Sequence, residues 1–208
     1  MITIWGGQTS RSLRVVWVLE EMGLPYDVRH VDMLAAEKNP AWLAVNPGDF
    51  LPAIQDSDVT MVESVAIMEY LMGRYGPTPL QPSPDDPAFP AYQQFLHMGE
   101  AGLATLMMVP LVSGFLAPEA ERDNWGARWA RACVERRLLL VRRQLAGAPY
   151  MAGDRFTAAD ISVTYALELG SKHAGFVPSD AEQAYCARTT SRDAYKRAFE
   201  RSHEGVAA

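Results

Sequence analysis

Glu63-Ser64 opens a helical pattern in which Val65, Met68, Leu71 and Met72 recur at helical spacing. A polar pair therefore stands where first-turn amides lack partners. Such a helix start is an anion site by construction. Upstream, Leu51-Pro52 opens a short apolar run, and a proline there removes a ladder donor and suits a strand start or a cis bend. Thr9, Ser10 and Ser12 place three hydroxyls at the mouth of the first helical pattern, where Ser10 or Ser12 can also serve as its cap. Phe156-Thr157-Ala158-Ala159-Asp160-Ile161 has the spacing of a capping box, with Thr157 at the helix start and Asp160 reaching back to its amide. Phe156 and Ile161 can clasp that start as a staple, and such a cap contributes about 1 kcal/mol or more locally.

These groups need elements to position them. Ile2-Thr3-Ile4-Trp5 alternates like a strand, and a helix starting near Ser10 or Ser12 runs to Gly23, which suits a C-terminal stop. A second strand over 24–31 completes a strand-helix-strand unit, a parallel crossover. Residues 38–43 read as a short irregular helix, and Asn46-Pro47-Gly48 as a turn. Asp56-Ser57-Asp58 is a tight turn between strands at 52–54 and 59–62. Five prolines between Gly76 and Pro87 forbid a continuous helix and mark a linker. The expected division is therefore an α/β domain over 1–76, a Pro-rich linker over 77–87 and a helical domain over 88–208. In the latter, helices are expected over 91–116 and 118–145, with Pro110 kinking or ending the first at Val109, and a final helix over 185–199. Met98, Leu103, Leu106, Met107 and Met108 form a stripe that reads first as core.

With 208 residues, 49% hydrophobic and 21% charged, the chain can bury a core in one large or two small domains and has no long disordered tract. A formal net charge of -6 argues against a nucleic-acid partner, so the arginines of 128–143 read as a solvated face. Met1 to Trp5 lacks the start of a signal peptide, and no uninterrupted apolar run reaches the roughly 18 residues of a membrane span. A cytoplasmic protein without a membrane partner is expected. Cys133 and Cys186 are the two cysteines and have no paired spacing, which argues against a disulfide scaffold or a zinc site.

The ordered combination of Leu51-Pro52, a hairpin, and Glu63-Ser64-Val65-Ala66-Ile67-Met68-Glu69-Tyr70-Leu71 resembles the glutathione transferase family, whose helix here has the form ESxAIxxYL. The segment 156–161 is similar to the family's FTxADI element, which serves folding. The resemblance implies an α/β N-terminal thioredoxin-like domain plus an all-α C-terminal domain, the glutathione transferase fold, in a homodimer. It implies a detoxification enzyme that adds the thiolate of its co-substrate glutathione to small apolar electrophiles. Main-chain groups of Leu51, beside a cis-Pro52, would pair with the cysteinyl backbone, Glu63 with the α-amino group and Ser64 with the adjacent carboxylate.

Aligned on Ser-Arg-Ser-Leu-Arg-Val, the chain looks like bacterial serine-type members, so Ser10 is the first candidate for the activating hydroxyl and Thr9 the second. No tyrosine lies in the first 25 residues and no cysteine in the first domain, which excludes a tyrosine-type mechanism and disfavours thiol-disulfide subclasses. Met107, Met108 and Leu111 would line the electrophile wall. Phe50 stands where the family often has a base for the glycyl carboxylate, leaving Lys38, His30 or another cation to substitute. That departure keeps a second class open, a catalytically silent binding or regulatory protein of the same fold.

Overall fold

The computed structural model describes residues 1–7, 10–35 and 37–203. The chain divides into two compact units, one built from Met1–Thr78 with the segment from Ser191 onward, the other from Pro79–Thr190.

The first unit carries a four-stranded sheet in the order β2-β1-β3-β4. Strand β1 (Ile2–Gly6) pairs in parallel with β2 (Tyr26–His30) and antiparallel with β3 (Ala53–Asp56), which in turn pairs antiparallel with β4 (Val59–Val62). Helix α1 (Ser12–Met22) makes the parallel connection, and Gly23 ends it at φ 64°, the left-handed conformation that favours glycine. Helix α2 (Pro40–Val45) starts at Asn39, whose side chain accepts from Ala41 N, and α3 (Ser64–Tyr75) follows the hairpin. This is the thioredoxin-like order read from the sequence. Trp5, Trp42, Leu51 and Ala53 form one buried cluster with Val31, Met33, Val45 and Val62 against it, so Leu51 and the β1 end share a floor.

The second unit is helical. Its first long helix is α4 (Phe89–His97), a π-helical turn over Met98–Ala104, and α5 (Thr105–Leu116) in succession. Of the two outcomes expected at Pro110, the helix does not end at Val109, since the proline lies inside α5. The irregularity falls instead at the π turn, where Ser162 Oγ donates to Leu96 O at 2.7 Å and the missing side chain of Gly99 lets Ser162 approach. A 3₁₀ turn at Glu119–Glu121 leads to α6 (Trp125–Gly147), capped by Asn124, whose side-chain Oδ1 accepts from Ala127 N. Helices α7 (Ala158–His173) and α8 (Asp180–Thr190) complete the unit. Phe89–Leu116 is, by length and hydropathy, apolar enough to cross a membrane, although no uninterrupted apolar run of that size stands out in the sequence. Its buried residues, among them Tyr92, Phe95, Leu96, Leu103 and Met107, belong to a helix packed against α7 and α6.

Two expectations need correction. The helix expected over 185–199 is two helices, broken at Ser191-Arg192, with α9 over Asp193–His203. The domain expected over 88–208 also loses its end, because α9 packs on α1 in the first unit. The physical reason is a set of partners that lie far back in the chain. Arg192 makes two bonds to the Glu21 carboxylate at 2.6 and 2.7 Å, Arg197 reaches Glu20 at 2.6 Å, and Tyr195 meets the Trp17 ring edge-on at 4.8 Å.

Candidate functional site

In the first unit α1 begins within the hydroxyl cluster, at Ser12. Ser10 Oγ–H lies 2.8 Å from Gly7 O and 2.6 Å from Ser12 Oγ, and Ser12 N donates to Ser10 Oγ at 3.3 Å. Ser10 is half-buried, whereas Ser12 is 2% exposed. Thr9, the other hydroxyl considered for thiol activation, lies outside the described residues.

The Leu51-Pro52 peptide bond is cis. Leu51 sits on the Trp5-Trp42 cluster, and Pro52 ends immediately before β3 begins at Ala53. The preceding turn is closed by Asn46, whose Nδ2 donates to Phe50 O at 2.7 Å and whose Oδ1 accepts from Gly48 N at 3.0 Å. Phe50 is 41% exposed. Lys38 is a cation of this neighbourhood, with Nζ donating to Met33 O at 2.6 Å and 3.5 Å from the Asp49 carboxylate. Asp49 also accepts from Trp42 Nε1 at 2.8 Å, which ties the Lys38 side to the Phe50 turn. His30, the alternative cation, is exposed at the end of β2.

Glu63 and Ser64 read alike in the sequence as an accessible pair; the structure separates them. Glu63 is exposed, makes no side-chain cap, and holds φ 73°, ψ 103°, a conformation that costs a non-glycine residue on the order of 1–3 kcal/mol. Such outliers gather at ligand clamps. Ser64 is 2% exposed, and its Oγ accepts from Arg14 Nη1 at 3.2 Å. Arg14, fully buried on α1, thus places a guanidinium beside the N-terminus of α3, adding positive potential to the helix dipole. Its signal in the sequence was only a charged residue in an apolar run of helical period. The far end of α3 is tied to the hairpin by Tyr70 and Tyr75, whose hydroxyls donate to Asp56 Oδ2 at 2.9 and 2.7 Å.

The second unit contains the three residues proposed as an apolar wall on α5. Met107 is fully buried, and its Sδ and Cε lie 2.9 Å from where a Cβ on Gly170 of α7 would sit, so it is a core side chain. Met108 and Leu111 are half-buried. Burial, then Glu168 and Glu182, push the Cys186 thiol up to about 12, which leaves little thiolate.

At the start of α7, the capping box is formed. Asp160 is fully buried and accepts from Thr157 N at 2.8 Å, Thr157 Oγ1 at 3.2 Å, Met151 N at 2.8 Å and Tyr185 OH at 3.0 Å. The last two partners have no counterpart in the sequence motif.

Residues 1–73 match the family model described as "Glutathione S-transferase, N-terminal domain". The chain is 30% identical over 179 residues to "Glutathione S-transferase 3" of Schizosaccharomyces pombe, covering 80% of this chain and 73% of that one. It is 29% identical to "Glutathione S-transferase GstB" of Escherichia coli over 95% of this chain and 97% of the other. Among solved structures, the theta class glutathione S-transferase of Xanthomonas axonopodis pv. citri with glutathione bound superposes with a TM-score of 0.79 at 29% identity, covering 95% of this chain and 96% of that one. With a thioredoxin-like sheet, a cis-proline ahead of β3, a strained acidic residue opening α3 and relatives of this extent, the chain belongs to the glutathione S-transferase family.

Proposed function

We propose that the protein is a cytoplasmic, homodimeric transferase that binds glutathione on its first unit and adds the thiolate to small apolar electrophiles. The observation that carries this reading is the Arg14-Ser64 bond at 3.2 Å, because it couples the helix that follows Ser10 to the helix start that would hold the charged end of the tripeptide. Glu63 would accept from the α-amino group, Ser64 and the first amides of α3 would donate to the neighbouring carboxylate, and Leu51 would offer its main chain to the cysteinyl residue. Ser10 Oγ–H would donate to the sulfur. Lys38, held beside the Phe50 turn, would take the glycyl carboxylate that Phe50 cannot. Met108 and Leu111 would line the electrophile wall, with Met107 supporting them from the core. Both cysteines are free thiols, which agrees with a reducing compartment.

The exposed Phe50 favours one second reading, a protein that retains the fold and the ligand without turnover. Glutathione-dependent conjugation of chloronitrobenzene by pure protein, run beside retention on glutathione-agarose, separates the two. Retention with turnover is expected; retention without turnover on a broad electrophile panel supports the second reading.

Glu63→Ala should weaken glutathione binding roughly ten- to a hundredfold, the worth of a hydrogen bond to a charged group, with little change in thermal stability because Glu63 is exposed and caps nothing. Ser64→Ala should weaken binding similarly and also lower Tm, since Arg14 Nη1 loses an acceptor. Calorimetry reads both, and parental affinity in either variant would remove this ligand pose.

A further inference from the structure

The hydroxyls of Ser10 and Ser12 share one set of partners, and counting protons assigns their roles. Each hydroxyl has a single proton. Ser10 Oγ lies closer to Gly7 O, at 2.8 Å, than Ser12 Oγ does, at 3.2 Å, while the two hydroxyl oxygens are 2.6 Å apart. The arrangement that uses the two shortest distances has Ser10 donating to Gly7 O and Ser12 donating to Ser10 Oγ. Gly7 N then donates to Ser12 Oγ at 3.3 Å. When Ser10 turns its proton to a bound sulfur, Gly7 O keeps the Ser10 N bond at 3.4 Å, and Ser12 Oγ is still nearer to Ser10 Oγ, at 2.6 Å, than to Gly7 O, at 3.2 Å.

Packing holds Ser12 in this place. A Cβ built on Gly6 would lie 2.6 Å from Ser12 Cβ and 2.7 Å from its Oγ, so α1 approaches the end of β1 as closely as a glycine permits. Ser12 is thereby buried and cannot reach a substrate itself, while its proton points at a hydroxyl that can.

We propose that Ser12 is a positioning residue of the thiol-activating site: its buried hydroxyl donates to Ser10 Oγ and keeps the proton of Ser10 available to the glutathione sulfur. This rests on the reading of Ser10 as the activating hydroxyl. The proton lost by the thiol goes to water, and neither serine gives up its own. A donor that itself accepts a hydrogen bond is polarised and donates more strongly, so Ser12 lowers the thiol pKa through Ser10 without touching the ligand.

The experiment titrates the thiolate absorbance near 240 nm of glutathione bound to the parent, Ser12→Ala, Ser12→Cys, Ser10→Ala and the double Ser10→Ala/Ser12→Ala, with kcat, KM and Tm measured alongside. Ser12→Ala should raise the thiol pKa by part of the Ser10→Ala shift and lower kcat near neutral pH about two- to tenfold, the worth of one neutral hydrogen bond, with KM for glutathione unchanged. Ser12→Cys preserves bulk but is a weak donor, and should shift the pKa as Ser12→Ala does. The double variant should be no worse than Ser10→Ala, because Ser12 acts only through Ser10. Parental titration by Ser12→Ala or Ser12→Cys while Ser10→Ala shifts overturns the role of Ser12 alone. An additive double variant overturns it too, since Ser12 then acts by another route. If Ser10→Ala titrates like the parent, the reading of Ser10 fails and this proposal fails with it.

Discussion

Asp160→Ala should lower the stability of the helical unit by about 3–5 kcal/mol, well beyond the roughly 1 kcal/mol of a helix cap. The carboxylate satisfies four donors in a site closed to solvent: two backbone amides, Met151 N and Thr157 N, and the hydroxyls of Thr157 and Tyr185. A buried donor left without an acceptor costs about 1–3 kcal/mol. The costs do not add fully, because the donors share one site. The motif accounts for the Thr157 contacts, and the non-local donors make the difference.

The same site has a pH signature. Burial pushes the Asp160 carboxyl up to about 6 from an ordinary 3.8, against the opposing effect of its four donors. A carboxyl whose folded pKa is raised contributes stability that is fully present below its unfolded value, near 3.8, and is lost as pH rises through the folded value near 6. Asp160→Asn, which does not titrate, removes this dependence. Its cost relative to the parent should therefore be larger at pH 4.5 than at pH 7.5, by up to about 2 kcal/mol. Thermal and urea unfolding followed by circular dichroism read both effects. A loss below about 1 kcal/mol for Asp160→Ala would mean that the network does not hold the start of α7.

The second large effect is on catalysis. Ser10→Ala should reduce turnover near neutral pH about ten- to a hundredfold, raise the apparent pKa of bound glutathione, and leave its affinity nearly unchanged when measured well below that pKa. A hydroxyl that donates to a thiolate stabilises the charged form alone. If the donor and the helix dipole lower the thiol from about 8.5 by roughly two units, the thiolate fraction at pH 7 rises about 25-fold. Nucleophilicity falls with a slope of about 0.4 to 0.5, which removes about eightfold of that and leaves about threefold from ionisation. The rest of the expected loss is orientation of the sulfur, so only part of the rate should return at high pH in Ser10→Ala. Thr9→Ala is the comparison. A parental titration in Ser10→Ala with an upward shift in Thr9→Ala would assign activation to Thr9, and no shift in either would favour the ligand-binding protein without turnover.

Much of this molecule was legible because its signals act between near neighbours. The alternation of Ile2 to Trp5, the stop at Gly23, the turn between β3 and β4, the cis-capable Leu51-Pro52 and the Thr157-Asp160 box each depend on a few adjacent residues, and each occurs in the structure. Ordered along the chain, these local signals were enough for the family. Tertiary structure decided the rest, because the pairing of buried polar groups depends on which segments the core brings together. Arg14 finds Ser64 across 50 residues, and Arg192 finds Glu21 across 171, which takes α9 away from the helical unit where its own sequence pattern placed it. Met107 and Met108 are indistinguishable as neighbours in an apolar run, yet close packing against Gly170 makes Met107 core and leaves Met108 half-buried. Ser10 and Ser12 likewise read as two interchangeable caps. Only the approach of α1 to Gly6 buries one and leaves the other its access, since a helix start gives no sequence sign of how closely a strand will pass it.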